Sequence, residues 1–341
     1  MTLWYWQTDK PWFNAPGLFT TFTRRQLPDT KLIIMTDDVH WLRMEKLSAS
    51  RKNSGITHVS NSAMSPEAEI AAVRLSEYHN YAAVDAIITI SHTDRKNILR
   101  YDVSDQIGKK RKLHVVPFVA SPWETQESMD IPDFINRRGL IFVGNLANPT
   151  NIEGLRWFLK NIMPMLVARL QGVTITIIGG GKWPIPEIKP TEKYIRFLGW
   201  LPWEHMRQEL NAAKVFVSPI VVSTGVNTKN SLAMSNGVPL VTTAIGAAGL
   251  CDRCDTNPLP IDEALDTSGA GGLHLAADAD CPFIVAADHE EFVRGVLELY
   301  NDEIIWNTFS RRGIQNTQSY LSVRNEALKV EKTIMYVKNP T

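Results

Sequence analysis

Short, continuous runs of apolar and β-branched residues recur along this chain and restrict its fold more than any other feature. Six lie in the second half: Gly139–Val143, Val173–Ile178, Tyr194–Leu198, Lys214–Val217, Val238–Thr242 and Phe283–Val285. A strand that is apolar at successive positions is buried on both faces. That arrangement belongs to parallel sheets with crossover helices on each side. Helical patterns fill the gaps, at Asn151–Arg169, Pro202–Asn211, Lys229–Asn236, Glu290–Tyr300 and Glu303–Arg312. Strand and helix alternating at this spacing predict a doubly wound α/β fold.

The first half follows the same grammar. Expected strands are Leu3–Trp6, Lys31–Met35, Asp85–Ile90 and Leu113–Pro117, with helices over Ser65–Tyr81 and His92–Asp102. The stretch Val119–Arg138 carries Pro122 and Pro132 without clean periodicity and reads as a linker. The expected division is a short N-terminal Rossmann-like domain over 1–120, a linker over 121–138 and a C-terminal Rossmann-like domain over 139–320. A last helix within 321–341 is placed to pack back on the first domain.

Charge and composition narrow the function classes. Lys and Arg number 36 and Asp and Glu number 36, so bulk electrostatics give no hold on nucleic acid. No apolar run approaches the length of a membrane span, and the start lacks a basic, apolar leader, so a cytoplasmic protein is expected. The cysteines, Cys251, Cys254 and Cys281, read as free thiols in a loop; a zinc site would need further ligands. Tryptophans Trp4, Trp6 and Trp12 cluster near the start and suit a core, a domain interface or peripheral contact with a lipid surface or partner.

The stretch Ser218–Leu250 carries the most chemistry. A strand ends at Val217, a small loop with Gly225 follows, a helix opens near Asn227 or Thr228, and Asn236-Gly237 stops it. Backbone N–H groups, a helix N-terminus and Lys229 together suit an anion at the carboxyl end of the strands. A plain strand-to-helix turn would look the same. The run Gly179-Gly180-Gly181-Lys182 lacks the spacing and following helix of a phosphate loop and reads as a cleft border.

Gly225, Lys229, Ala233, Met234, Gly237, Pro239, Val241, Thr243, Gly246 and Gly249 match the donor-binding segment of glycosyltransferase group 1, the family-4-like retaining enzymes. Arg138–Thr150, Ile177–Gly181 and Phe197–Leu201 resemble further strand–loop units of the donor domain. Ile34–Arg43 and Asp85–Ser91 resemble acceptor-domain segments. The resemblance implies a GT-B fold, two Rossmann-like domains facing across a cleft, with an N-terminal domain shorter than the family's. It implies a nucleotide diphosphate sugar as donor, transfer with retention of configuration, no metal or other cofactor, and a saccharide, lipid-linked or protein acceptor.

Carried onto this sequence, the resemblance assigns the donor to Gly225, Val226, Asn227, Lys229, Asn145, Thr150, Thr243 and Gly246. It places His40, Asp38 and Arg43 opposite, where an imidazole with a carboxylate and a guanidinium could orient donor or acceptor. Without the resemblance, the same three read as a helix cap and a surface ion network. The chain also departs from the family. Thr224 and Leu232 stand where members have glutamates, Ser223 replaces the first loop glycine, and Asn145 and Asn148 stand where an arginine is usual. Leucine cannot accept a hydrogen bond from a ribose hydroxyl, and one left unpaired in a closed site costs about 1–3 kcal/mol. A second reading therefore stands beside the transferase: a non-catalytic GT-B-like binding protein or partner subunit. A sugar-nucleotide epimerase of the same fold would call for several more cleft carboxylates and histidines.

Overall fold

A computed structural model of the chain describes residues 2–6, 18–53, 64–102, 112–118, 133–222, 225–251 and 281–338. It contains two compact units. One comprises Met1–Phe118, Val222–Val226 and Arg324–Thr341, the other Val119–Val221 and Asn227–Val323. Most of the stretch read as a linker lies outside the described residues.

The N-terminal unit is built on a parallel sheet in the order β1-β2-β3-β4: Thr2–Trp6, Lys31–Thr36, Ala86–Thr89 and Leu113–Val115. Four helices follow its strands: α1 (Leu18–Gln26), α2 (His40–Asn53), α3 (Pro66–Ala83) and α4 (His92–Arg100). Alternate residues of β2 serve opposite faces. Leu32 and Ile34 pack with Val39, Trp41, Tyr81 and Ile98, while Ile33 packs with Val116 and with Val337 of the last helix, α12 (Val323–Lys338). This two-sided cover is the physical reason the strands read as continuous apolar runs.

The C-terminal unit has six parallel strands in the order β10-β9-β8-β5-β6-β7. They are β5 (Arg138–Val143), β6 (Ile175–Ile178), β7 (Ile195–Gly199), β8 (Ala213–Ser218), β9 (Leu240–Thr243) and β10 (Ile284–Ala286). The helices are α5 (Pro149–Trp157), α6 (Met163–Arg169), α7 (Trp203–Ala212), α8 (Thr228–Ser235), α9 (Ala244–Ala247), α10 (His289–Asn301) and α11 (Glu303–Ser319). The single helix expected over Asn151–Arg169 is interrupted by a π-helical turn at Phe158–Ile162. Pro164 follows at once and has no N–H to donate; the wider turn carries the chain past it while Phe158, Leu159 and Ile162 stay in the core.

Arg137 ties the second unit together from beneath. It is fully buried, donates to the carbonyls of Leu210, Ala213 and Asn236 at 3.1–3.2 Å, and lies over the Trp306 ring. Burial lowers its pKa to about 10. Among the described residues no helix is long and apolar enough to cross a membrane. Cys251 is disulfide-bonded, which corrects the reading of all three cysteines as free thiols.

Candidate functional site

Strand order identifies the crevice of the C-terminal unit. From β5 the chain winds outward through β6 to β7; from β8 it winds the other way through β9 to β10. The neighbours β5 and β8 therefore mark the reversal, and open α/β sheets bind ligands at such a point, outside the carboxyl ends of the strands. The loop after β5 leads to α5, and the loop after β8 leads to α8. Both helix N-termini, each with its partial positive charge, emerge at this point.

Lys229, in the first turn of α8, spans the reversal. Its Nζ donates to Asn151 Oδ1 on α5 and lies 5.1 Å from the centre of the Phe142 ring. Asn151 in turn donates from Nδ2 to the Asn145 carbonyl at 3.0 Å. Burial lowers the Lys229 pKa to about 7, although part of the side chain still reaches solvent. The enclosed part is the ammonium end, held between Asn151 Oδ1 and the Phe142 ring.

The surrounding loops are close-set. A Cβ on Gly179 would fall 1.8 Å from the Gly144 carbonyl oxygen, and one on Gly154 would fall 2.0 Å from the Pro219 carbonyl oxygen. Leu146 N donates to the Gly180 carbonyl, so the loops after β5 and β6 are hydrogen-bonded to each other. Asn145 Oδ1 accepts from Ala147 N at 2.9 Å, and Asn148 Oδ1 caps α5 through Thr150 N at 3.0 Å. Both amides thus shape the loop. Thr150 is buried at the second position of α5. Asn227 precedes α8 without capping it, and its buried Nδ2 has no hydrogen-bond partner. Thr243 donates to the Ile220 carbonyl and caps α9 through Gly246 N; the Gly246 carbonyl accepts from Asn230. Leu232 lies half-buried on α8, while Ser223 and Thr224 lie outside the described residues. Lys182 is exposed.

The remaining predicted residues belong to the N-terminal unit. Gly225 sits so near the Asp37 carbonyl oxygen that a Cβ would approach to 2.9 Å, and Val226 is grouped with it. His40 is the first residue of α2 and is 8% exposed, so the imidazole is not part of a surface network. Asp38 pairs with Arg43 at 2.7 Å. Sequence reasoning missed the group that holds His40. Glu77 of α3, 1% exposed, accepts from the His40 backbone N at 3.1 Å and faces its Nδ1 at 3.3 Å with the same oxygen. Burial pushes the His40 pKa down, but the Glu77 hydrogen bond and the charges of Glu77 and Asp38 outweigh it, and the net shift is upward. A carboxylate only accepts, so Nδ1 carries the proton. The one sequence signal was the polar run Ser76-Glu77…Asn80, which α3 buries instead of exposing.

Residues 137–302 match the model of the family described as glycosyl transferases group 1. An uncharacterized 44.6 kDa protein in the cps region of Klebsiella pneumoniae is 32% identical over 116 residues, 32% of this chain and 30% of that one. The chain therefore matches less than a third of that curated relative's length. Among solved structures it is similar to sucrose-phosphate synthase from Thermosynechococcus elongatus, with TM-score 0.58, 12% identity, and coverage of 94% of this chain and 71% of the other. A UDP-forming α,α-trehalose-phosphate synthase from Burkholderia xenovorans gives TM-score 0.57 and 11% identity over 99% and 73% of the two chains. A Staphylococcus aureus TarM mutant in complex with fondaparinux, α-GlcNAc-glycerol and UDP gives 0.53 and 13% over 92% and 57%. The fold is GT-B.

Proposed function

We propose that this chain, which resembles the group 1 glycosyltransferases in fold and over residues 137–302 in sequence, transfers a sugar from a nucleotide diphosphate sugar to an acceptor with retention of configuration. The observation that carries the reading is Lys229, bonded to Asn151 across the strand-order reversal between two helix N-termini. The UDP in one structural neighbour and the UDP-forming activity of another support a nucleotide diphosphate as the ligand class.

The chemistry follows from charge. When the bond between the sugar's anomeric carbon and the diphosphate breaks, negative charge grows on the leaving oxygen. Lys229, the unspent Nδ2 of Asn227 and the N-terminal N–H groups of α8 are fixed donors for that charge. A lysine whose pKa burial lowers to about 7 gives up its proton readily and takes it back as the diphosphate arrives. The acceptor hydroxyl adds to the anomeric carbon and gives its proton to the departing phosphate oxygen, so that no metal is required. His40, held by Glu77, is the acid–base group of the N-terminal unit.

Leu232 favours the second reading, a GT-B-like binding protein or partner subunit, because a half-buried leucine on α8 offers the ribose no acceptor. A thermal-shift screen against UDP, GDP, ADP and their sugar conjugates, with and without magnesium, tests the proposal. A nucleotide at 100 times its dissociation constant adds about 2.7 kcal/mol. We expect one base to shift the wild type without magnesium and none to shift Lys229→Ala. A nucleotide response that appears only in Leu232→Glu would establish the second reading.

A further inference from the structure

A cavity of about 760 Å³ lies in the N-terminal unit between α2, α3 and the end of α4, lined by Trp41, Glu45, Arg74, Tyr78, Tyr101 and Asp102 among others. Its walls carry unspent polar capacity. Trp41 is 1% exposed, yet its buried Nε1–H has no hydrogen-bond partner. Arg74 stacks its guanidinium 4.7 Å from the Trp41 ring centre and 5.3 Å from that of Tyr101, and among the described residues it makes no hydrogen bond or ion pair. Trp41 and Tyr101 meet edge to face at 4.7 Å, fixing the aromatic wall. Tyr78 donates its hydroxyl to the Ile98 carbonyl, which leaves its ring for contact. Leu75 on the same border is 65% exposed.

Elimination narrows the occupant. An apolar molecule would leave the indole N–H and the guanidinium unsatisfied in a desolvated place. An anion would meet the carboxylates of Glu45 and Asp102. A cation would meet Arg74, which already occupies the aromatic faces. A neutral molecule with hydroxyls that both accept from Trp41 and Arg74 and donate to the carboxylates, and with C–H faces that lie on rings, fits all of these. A volume of about 760 Å³ is within the range of small-molecule sites and holds two to three sugar rings. We infer that this groove binds an uncharged saccharide. Its use as the acceptor's seat rests on the transferase reading, whereas its affinity for a saccharide does not.

Saturation-transfer NMR on the full chain with maltotriose, mannotriose and triacetylchitotriose, and with glucuronic acid as the charged comparison, tests this. At least one neutral trisaccharide gives saturation transfer and glucuronic acid gives none. Arg74→Ala weakens the trisaccharide at least tenfold. Trp41→Phe, which keeps a ring in the core and removes only the N–H, weakens it severalfold. Absence of transfer to every trisaccharide from folded protein overturns the inference, as does binding that neither variant changes. The nucleotide screen separates the two proposals: saccharide binding without any nucleotide response removes the transferase reading and leaves the groove, and the reverse removes the groove alone.

Discussion

Replacing Lys229 by methionine should make the protein more stable while removing its proposed ligand contact. The stem length is kept and the charge is lost. Burial lowers the Lys229 pKa from 10.5 to about 7, and each unit corresponds to about 1.4 kcal/mol. The ammonium therefore costs the fold about 4 kcal/mol at pH 7. The sign follows from linkage: the folded state releases the proton more readily than the unfolded chain, so the penalty is complete below pH 7 and fades as pH rises towards 10.5. Loss of the bond to Asn151 returns about 1 kcal/mol. The variant should exceed the wild type by about 1–3 kcal/mol at pH 7, and its advantage should shrink by about 2 kcal/mol between pH 7 and 9. Urea unfolding at pH 6, 7, 8 and 9 measures this. A variant less stable than the wild type at pH 7, or an advantage independent of pH, would refute the burial of this charge.

Three further outcomes follow from the same structure. Glu77→Gln removes the carboxylate that holds His40, so the imidazole pKa should fall from above 6.5 to below it, as read by NMR titration; an unchanged value would mean that Glu77 does not set it. In the wild type this pair stabilises the fold below pH 6.5, and that contribution is lost as pH rises through the raised folded value. Arg137→Met leaves three buried carbonyls without their donor and should cost about 3–5 kcal/mol, seen as a lower urea midpoint; a loss under 1 kcal/mol would contradict the clamp. Gly179→Ala drives a Cβ against the Gly144 carbonyl and should weaken nucleotide binding at least tenfold by moving the loop after β5; wild-type affinity would show that this loop takes no part.

The sheets were legible because burial on both faces writes itself into consecutive residues. Ile33 and Ile34 face opposite helices, and each must be apolar. Helices with strong periodicity were equally plain. Helix α2 was not, because His40, Arg43, Glu45 and Lys46 interrupt its apolar face and its start is a cluster of titratable groups. The π turn was hidden because a helical pattern survives one extra residue when the core closes around it. Lys229 could be singled out from its place after a strand and a small loop. Its partner Asn151 could not, since a 78-residue separation brings them together only through the order of β5 and β8. Glu77 was invisible for the same reason: a glutamate on a polar helix announces nothing until α3 buries it against His40.

Calorimetric titration with the nucleoside diphosphate identified by the screen, repeated at pH 7.5 in buffers of different ionisation enthalpy, tests the central claim most directly. A lysine with a pKa of about 7 that becomes fully charged on meeting the diphosphate takes up roughly three quarters of a proton per site at that pH. The account predicts that uptake in the wild type and its disappearance, with most of the affinity, in Lys229→Ala. Binding without proton uptake, or binding that Lys229→Ala leaves intact, would contradict it.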